Sequence, residues 1–157
     1  MAGYSGTPLP KKLGIKEGHR VVALRAPDDF STTLGALPVG VSLTTSLRGT
    51  RPFDVIVSFH RRLAGFERDL VKLKGRLVEN GGLWIAWPKK SSGLQEDLTE
   101  ADVRRLGLAI GLVDNKICAV DETWSGLRFV YRVKDRSPTA SKKKASKTQS
   151  KKTTRRR

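Results

Sequence analysis

Continuous apolar runs of strand length constrain the fold of this chain most strongly. VVAL (21–24), FDVIVSF (53–59) and LWIAW (83–87) are apolar almost throughout, and VSLTTSL (41–47) adds a more polar strand. Strands that lack a regular apolar and polar alternation are typical of sheets covered by other elements on both faces. The chain is therefore expected to form a layered domain around a buried sheet.

Segments with helical spacing lie between these runs. Apolar residues at intervals of three and four predict a helix that begins near Arg61, includes Leu77 and stops at NGG (80–82). The other helices are expected in PDDFSTTLGAL (27–37) and, behind a capping box formed by Thr99 and Asp102, in the segment up to Gly111.

The end of the folded region indicates a hairpin. Two strands, 117–120 and 127–133, flank the short loop DETWSG (121–126), which makes them antiparallel neighbours. With the alternating strands and helices, this predicts a single three-layer Rossmann-like α/β domain over residues 19–136, with a mostly parallel sheet and a C-terminal antiparallel hairpin. Residues 1–18, rich in Gly, Pro and Lys, are expected to form an irregular arm.

The chain is strongly basic, and its charge is concentrated at the C-terminus. Residues 137–157 carry nine of the charges behind the formal net +16 and no acidic or large apolar residue, which leaves +7 for residues 1–136. Such a segment is expected to be disordered and to contact DNA or RNA backbone without sequence preference. The tail residues predicted to do so are Lys142, Lys143, Lys144, Lys147, Lys151, Lys152, Arg155, Arg156 and Arg157.

Several classes of protein are disfavoured by what the sequence lacks. One cysteine and two histidines exclude the usual zinc patterns, so no metal is expected. The N-terminal residues have no apolar core of signal-peptide length, and the sequence has no apolar run of membrane-spanning length, so a cytoplasmic protein without membrane attachment is expected. Cys118 lies on a covered strand and is expected to be buried and unreactive.

Longer stretches resemble a bacterial family, domain of unknown function 3052. The matching stretches are AGYSGTPLPKKLGIKEG (2–18), GGLWIAWPKKSSG (81–93), DLTE (97–100) and GLVDNKICAVDETWSGLRFVYR (111–132). This resemblance implies no established activity. LVENGGLWIAWPK (77–89) and the final hairpin are also similar to the end of a class I methyltransferase-type Rossmann-like fold.

That second resemblance implies cofactor contacts that the sequence does not contain. A glycine-rich turn would follow the first strand, but Arg25, Ala26 and Pro27 stand there, and Leu47 and Arg48 stand where an acidic residue would contact ribose. No cofactor and no catalytic residue is therefore expected. The sequence favours a non-catalytic protein that binds an anionic partner. The alternatives are a divergent methyltransferase-like enzyme with an altered or lost cofactor site, and a protein interaction module, which would imply an unidentified protein partner.

Basic residues follow most of the predicted strands. Ligands bind at the carboxyl ends of strands in open α/β sheets, so these residues predict one positively charged rim that binds anions. His60 is also interpreted as a solvated residue at the end of its strand. The predicted rim consists of Arg25, Arg48, His60, Arg61, Arg62, Lys89 and Lys90.

The hairpin loop has two interpretations. Asp121 or Glu122 could act as a general base or pair with a rim cation. Alternatively, Asp121 and Thr123 cap the turn while Trp124 closes the core, and this structural role is favoured. Trp84 and Trp87, three positions apart in one strand, are expected to lie in the core on opposite faces of the sheet.

Overall fold

The computed structural model describes residues 7–136, so the predicted tail contacts lie outside the described residues. Ten helices and strands follow one another in this part of the chain, with two short 3-10 turns at Lys90–Ser92 and Val133–Asp135. In order they are α1 Leu9–Leu13, β1 Arg20–Leu24, α2 Phe30–Leu34, β2 Ser42–Thr44, β3 Phe53–Phe59, α3 Leu63–Gly75, β4 Leu77–Pro88, α4 Glu100–Ala109, β5 Leu112–Ala119 and β6 Trp124–Tyr131.

The strands form one sheet in the order β2-β1-β3-β4-β6-β5. Parallel pairing joins β2, β1, β3 and β4, whereas β6 is antiparallel to both β4 and β5. Among the described strands, β6 is thus the only one that runs against the others. The predicted α/β class, the mostly parallel sheet and the C-terminal antiparallel hairpin are confirmed.

Helices cover both faces of the sheet. On one face α3 and α4 pack against Ile56, Ile85 and Trp87, and on the other α1 and α2 pack against Val57 and Trp84. Successive strand residues point to opposite faces, so a strand covered on both sides must be apolar at nearly every position. The core positions predicted for Trp84 and Trp87 are confirmed, with exposed fractions of 0% and 5%.

The N-terminal segment is partly helical, whereas its composition had indicated an irregular arm. Leu9 and Leu13 lie four residues apart on α1 and are buried against the sheet, and Ile15 is buried just beyond the helix. The Trp84 indole Nε1 donates a hydrogen bond of 2.9 Å to the Leu13 carbonyl oxygen. Pro10 is compatible with the first helical turn, which needs no N–H donor there, so the prolines do not prevent this helix.

The end of α3 and the start of β4 also differ from the prediction. Leu77 does not continue the helical stripe but opens β4, where it pairs with Phe53. Between this pair and the pair Val55–Gly82, β4 advances five residues while β3 advances two, which makes a bulge. A Cβ on Gly81 would lie 2.6 Å from the Asp54 carbonyl oxygen, so glycine permits this close approach instead of stopping a helix.

The predicted helix start at Thr99 is confirmed. The Asp102 backbone N–H donates to Thr99 Oγ1 at 3.2 Å, which satisfies one unpaired donor of the first turn of α4.

The predicted first hairpin strand, 117–120, was too short, because β5 begins at Leu112. Within residues 7–136, no helix combines the length and the apolar character needed to cross a membrane.

Candidate functional site

The carboxyl ends of β1 and β3 border a pocket of about 420 Å³. The two strands are parallel neighbours, so Arg25, which follows β1, and His60, which follows β3, emerge at the same edge of the sheet. This is the edge where open α/β sheets bind ligands. We call the cavity the carboxyl-edge pocket; its walls include Arg25, His60, Arg61, Arg62, Arg68 and Trp124.

His60 is a buried neutral group and not the solvated, cationic rim residue that the sequence indicated. Its exposed fraction is 4%, and its ring centroid lies 5.4 Å from that of Phe66. Ser58 Oγ lies 2.7 Å from His60 Nε2. Burial, and then the charge of Arg25, lower the pKa of His60 from 6.5 to about 4. The apolar surroundings at the strand end, which a local sequence pattern does not reveal, cause this difference.

Arg25 lies across one side of the pocket. Its guanidinium Nη1 is 2.5 Å from Asp69 Oδ2, and Arg68 Nε is 3.6 Å from Asp69 Oδ1. Burial raises the pKa of the Asp69 carboxyl, but the hydrogen bond and the charge of Arg25 outweigh burial and leave that pKa below its ordinary value. Asp69 is therefore ionised at neutral pH and is shared by two arginines.

Arg61 and Arg62 form another part of the pocket wall. Arg61 Nε lies 3.2 Å from Glu96 Oε2, and Arg62 Nε lies 2.6 Å from Glu96 Oε1. Arg61 Nε also donates to the Leu94 carbonyl oxygen at 3.4 Å. One carboxylate thus orients two adjacent guanidinium groups, and this wall keeps a positive charge.

Arg25 has a backbone conformation that L-residues seldom adopt. Its φ is 59°, and among residues 7–136 it is the one non-glycine residue with a positive φ. A left-handed conformation costs a residue with a Cβ roughly 1–2 kcal/mol. Strain of this kind is often found at functional sites. The turn after β1 therefore holds Arg25 in a position that glycine would adopt more readily.

Arg48 does not belong to the pocket, contrary to the prediction. Arg76, immediately before β4, donates from its guanidinium to the carbonyl oxygens of Leu47, Arg48 and Arg51. Arg76 also accepts from the backbone N–H of Phe53, the first residue of β3. The loop after β2 thus returns to the amino edge of the sheet and carries Arg48 with it.

Lys89 and Lys90 lie beyond the end of β4 and are not among the residues that line the pocket. Lys89 Nζ donates to the Asp121 carbonyl oxygen at 2.8 Å, so it ties β4 to the hairpin loop. Lys90 is exposed at the start of a 3-10 turn. Of the predicted rim, the pocket therefore brings together Arg25, His60, Arg61 and Arg62.

Asp121 caps the hairpin turn. Its Oδ1 accepts hydrogen bonds of 2.8 Å from the backbone N–H groups of both Thr123 and Trp124. Trp124 is buried, and its ring meets that of Phe59 edge-on at 5.1 Å. Glu122 is exposed, and neither acidic residue lines the pocket. The loop thus contributes the Trp124 ring to the pocket and not a carboxylate.

Arg68 is a pocket residue that the sequence reasoning missed. It lies on α3, six residues after the helix N-cap Arg62, and neither a strand end nor a motif pointed to it. Cys118 is only partly buried, on the edge strand β5, and not buried on a covered strand as expected. This partial burial raises the pKa of its thiol, which gives no sign of an activated thiolate. Within residues 7–136, no group of three His, Cys, Asp or Glu side chains is placed to hold a metal ion.

Solved structures with the same fold include methyltransferases. The DhpI–SAH complex is 11% identical over 80% of this chain and 83% of that chain, with a TM-score of 0.56. A SAM-dependent methyltransferase from Aquifex aeolicus is 16% identical over 77% and 86%, with a TM-score of 0.51. Magnesium protoporphyrin IX methyltransferase from Synechocystis PCC 6803 with bound SAM is 10% identical over 79% and 74%, with a TM-score of 0.52.

Comparison of the sequence itself finds no matching family model and no matching curated protein. The expected membership of domain of unknown function 3052 therefore stays a prediction. The structural neighbours contradict the expectation of a non-catalytic protein that binds an anionic partner, because they include methyltransferases, and structures with bound SAM or SAH are among them. The divergent methyltransferase-like alternative is the better supported of the two. At these low identities the comparison establishes the fold: the chain has a Rossmann-like methyltransferase fold.

Proposed function

We propose that this chain is a divergent methyltransferase-like enzyme whose reaction takes place in the carboxyl-edge pocket. The observation that carries the proposal is the convergence of Arg25 and His60, from neighbouring strands, on one cavity at the ligand-binding edge of the sheet. A perturbed titratable group in such a cleft is typical of a reaction site. The fold supports the class of reaction, and the site residues are argued on their own chemistry.

S-adenosylmethionine, which this fold family implies, does not fit the residues in the usual way. Where a glycine turn would let the backbone approach the cofactor, Arg25 carries a side chain that is bound to Asp69. After β2, at Thr44, the chain continues with Thr45 and Ser46 and offers no carboxylate for a ribose. The excess of arginines also disfavours the positive charge of a sulfonium group. The cofactor site is therefore altered, and the roles below are assigned only to residues of this chain.

His60 is the residue that we assign to proton transfer. At physiological pH its imidazole is neutral and has a lone pair that can accept a proton, but its pKa of about 4 makes it a weaker base than an ordinary histidine. The contact between Ser58 and Nε2 fixes the ring, which leaves Nδ1 as the nitrogen not engaged with Ser58. A hydroxyl or amine of the substrate, placed against the imidazole, would pass its proton to His60.

The proposal is tested by incubating the full chain with an extract of small metabolites, with and without added S-adenosylmethionine, and following all masses by mass spectrometry. We expect the wild-type protein to convert at least one compound into a product heavier by one CH₂ group. The variant His60→Gln should lose most of this conversion. His19→Gln is the matched control, because His19 lies before β1 at the opposite edge of the sheet.

Ser58→Ala separates a catalytic role of His60 from a loss of folding. This variant keeps the imidazole but removes its hydrogen-bond partner, so it should be folded, as judged by circular dichroism, and slower than wild type. If the wild-type protein changes no compound in the extract, or if His60→Gln and Ser58→Ala both convert it at the wild-type rate, the proposed function is wrong.

A further inference from the structure

The arginines of the carboxyl-edge pocket outnumber the carboxylates that neutralise them. Asp69 and Glu96 are the acidic partners of four guanidinium groups, those of Arg25, Arg61, Arg62 and Arg68. The four guanidinium groups thus exceed the two carboxylates with which they pair by two positive charges. Like charges collected in this way repel one another, and an anionic ligand would relieve that repulsion.

The ion pairs of three arginines leave the terminal nitrogens of their guanidinium groups available. Arg61, Arg62 and Arg68 all contact their carboxylates through Nε. Each guanidinium has five N–H donors in a fixed fork, and two parallel bonds from the terminal nitrogens match a carboxylate or a phosphate. The carboxylates thus hold these arginines in place without occupying the donors that suit an oxyanion.

The size of the pocket restricts the kind of ligand. A cavity of about 420 Å³ has the volume of a site for a small molecule. The rings of Phe59 and Trp124, in edge-on contact at 5.1 Å, form an apolar part of its wall. A ligand with a charged end and a short apolar body would satisfy both the arginines and the aromatic wall.

We infer that the substrate of this pocket is a small molecule with a dianionic oxyanion group, a phosphate monoester or a dicarboxylate, bound by Arg61, Arg62 and Arg68. The inference rests on the proposed function, because it names the substrate class of the same pocket. The net excess of two positive charges in these ion pairs matches a dianion, and the arginine forks match its oxygens. The arginines orient the substrate, and His60, which lines the same pocket, receives its proton.

The inference is tested by nuclear magnetic resonance of the full chain titrated with inorganic phosphate and, separately, with malonate, at constant ionic strength held by chloride. The Gly65 amide and the Arg61, Arg62 and Arg68 Nε signals report the pocket separately from the basic tail. We expect saturable shifts of these signals with at least one of the two dianions. Saturation by phosphate alone, by malonate alone or by both identifies the oxyanion.

The double variant Arg61→Gln, Arg62→Gln should weaken this binding by roughly tenfold or more, because charge-assisted hydrogen bonds are lost. Arg105→Gln is the matched control, since Arg105 is an exposed arginine on α4 whose Nη2 pairs with Asp102. Arg68→Gln gives an independent second variant. If neither dianion shifts the Gly65 signal saturably, if chloride produces the same shifts, or if the double variant binds as tightly as Arg105→Gln, the inference is overturned.

The two proposals fail in different ways. Dianion binding is read without turnover, so a wild-type protein that binds phosphate but converts no metabolite would retain the ligand class and lose the enzymatic function. A product that forms equally fast in wild type and in the double variant would retain the function and overturn the ligand class.

Discussion

Ser58 Oγ lies 2.7 Å from His60 Nε2, and both side chains are almost completely buried, with exposed fractions of 1% and 4%. They form a polar pair at the carboxyl end of β3, a strand whose other residues are mostly apolar. A buried polar group is stabilised only when it is hydrogen-bonded. The pair is therefore sensitive to the protonation of the imidazole.

The first prediction concerns the stability of the protein in mild acid. Because the pKa of His60 is lowered from 6.5 to about 4, the unfolded chain takes up a proton at this site over a pH range in which the folded chain does not. The neutral imidazole therefore stabilises the folded state. This stabilisation is complete above pH 6.5 and is lost as the pH falls towards 4. Between neutral pH and about 4.5 the loss should be about 2 to 3 kcal/mol.

Urea unfolding at several pH values checks this prediction. The difference in unfolding free energy between wild type and His60→Gln should shrink as the pH falls. Curves for wild type and His60→Gln that stay parallel across this range would show that His60 does not titrate as described.

The second prediction concerns the packing of α4 on the sheet. A Cβ on Gly107 would overlap the ring of Phe129, a fully buried residue of β6. Gly107→Ala should therefore destabilise the protein by about 1–3 kcal/mol, although alanine favours a helix more than glycine does. Gly75→Ala is the matched control, because no atom lies within 4 Å of a Cβ there, and it should be neutral or stabilising by up to about 1 kcal/mol. Equal unfolding free energies for the two variants would contradict this packing.

The third prediction separates the backbone strain at Arg25 from its ion pair. Arg25→Gly and Arg25→Ala both remove the contact with Asp69, but only glycine adopts the φ of 59° without a steric penalty. Arg25→Gly should be more stable than Arg25→Ala by roughly 1–2 kcal/mol. Thermal and urea unfolding of the two variants measure this difference, and equal stability would mean that the turn relaxes when arginine is replaced.

The fourth prediction concerns the hairpin turn. Asp121→Ala removes the acceptor of two backbone N–H groups and should cost about 1–2 kcal/mol of unfolding free energy. Asp121→Asn keeps an oxygen acceptor and should cost less. Glu122→Ala, one residue away and exposed, should change the stability by no more than about 0.5 kcal/mol. A loss for Glu122→Ala as large as that for Asp121→Ala would contradict the capping role.

Those parts of the fold that local sequence patterns determine could be predicted. The separate apolar runs around Ile56 and around Ile85 indicated strands covered on both faces, and the capping box at Thr99 marked a helix start. The mistakes arose where tertiary contacts override a pattern. Leu77 keeps the helical interval but pairs with Phe53 in the sheet, and Leu13 is held by Trp84, far away in the chain.

The candidate site was only partly predictable for the same reason. The rule that ligands bind where strands end was enough to group Arg25 with His60, because both directly follow their strands. It failed for Arg48, which lies within a loop that returns to the opposite edge. Arg68 lies within a helix and escaped a search of strand ends. The nucleic-acid contacts of residues 142–157, the protein partner and the cytoplasmic location stay predictions.

The most direct test of the account is the pKa of His60 in the full chain, followed through its ring nitrogen signals by nuclear magnetic resonance, with and without phosphate. The account predicts a pKa of about 4 without phosphate. A bound dianion should raise that pKa by offsetting the positive charge of the surrounding arginines. A pKa close to the ordinary 6.5 that phosphate leaves unchanged would contradict both the buried imidazole and the anionic ligand placed beside it.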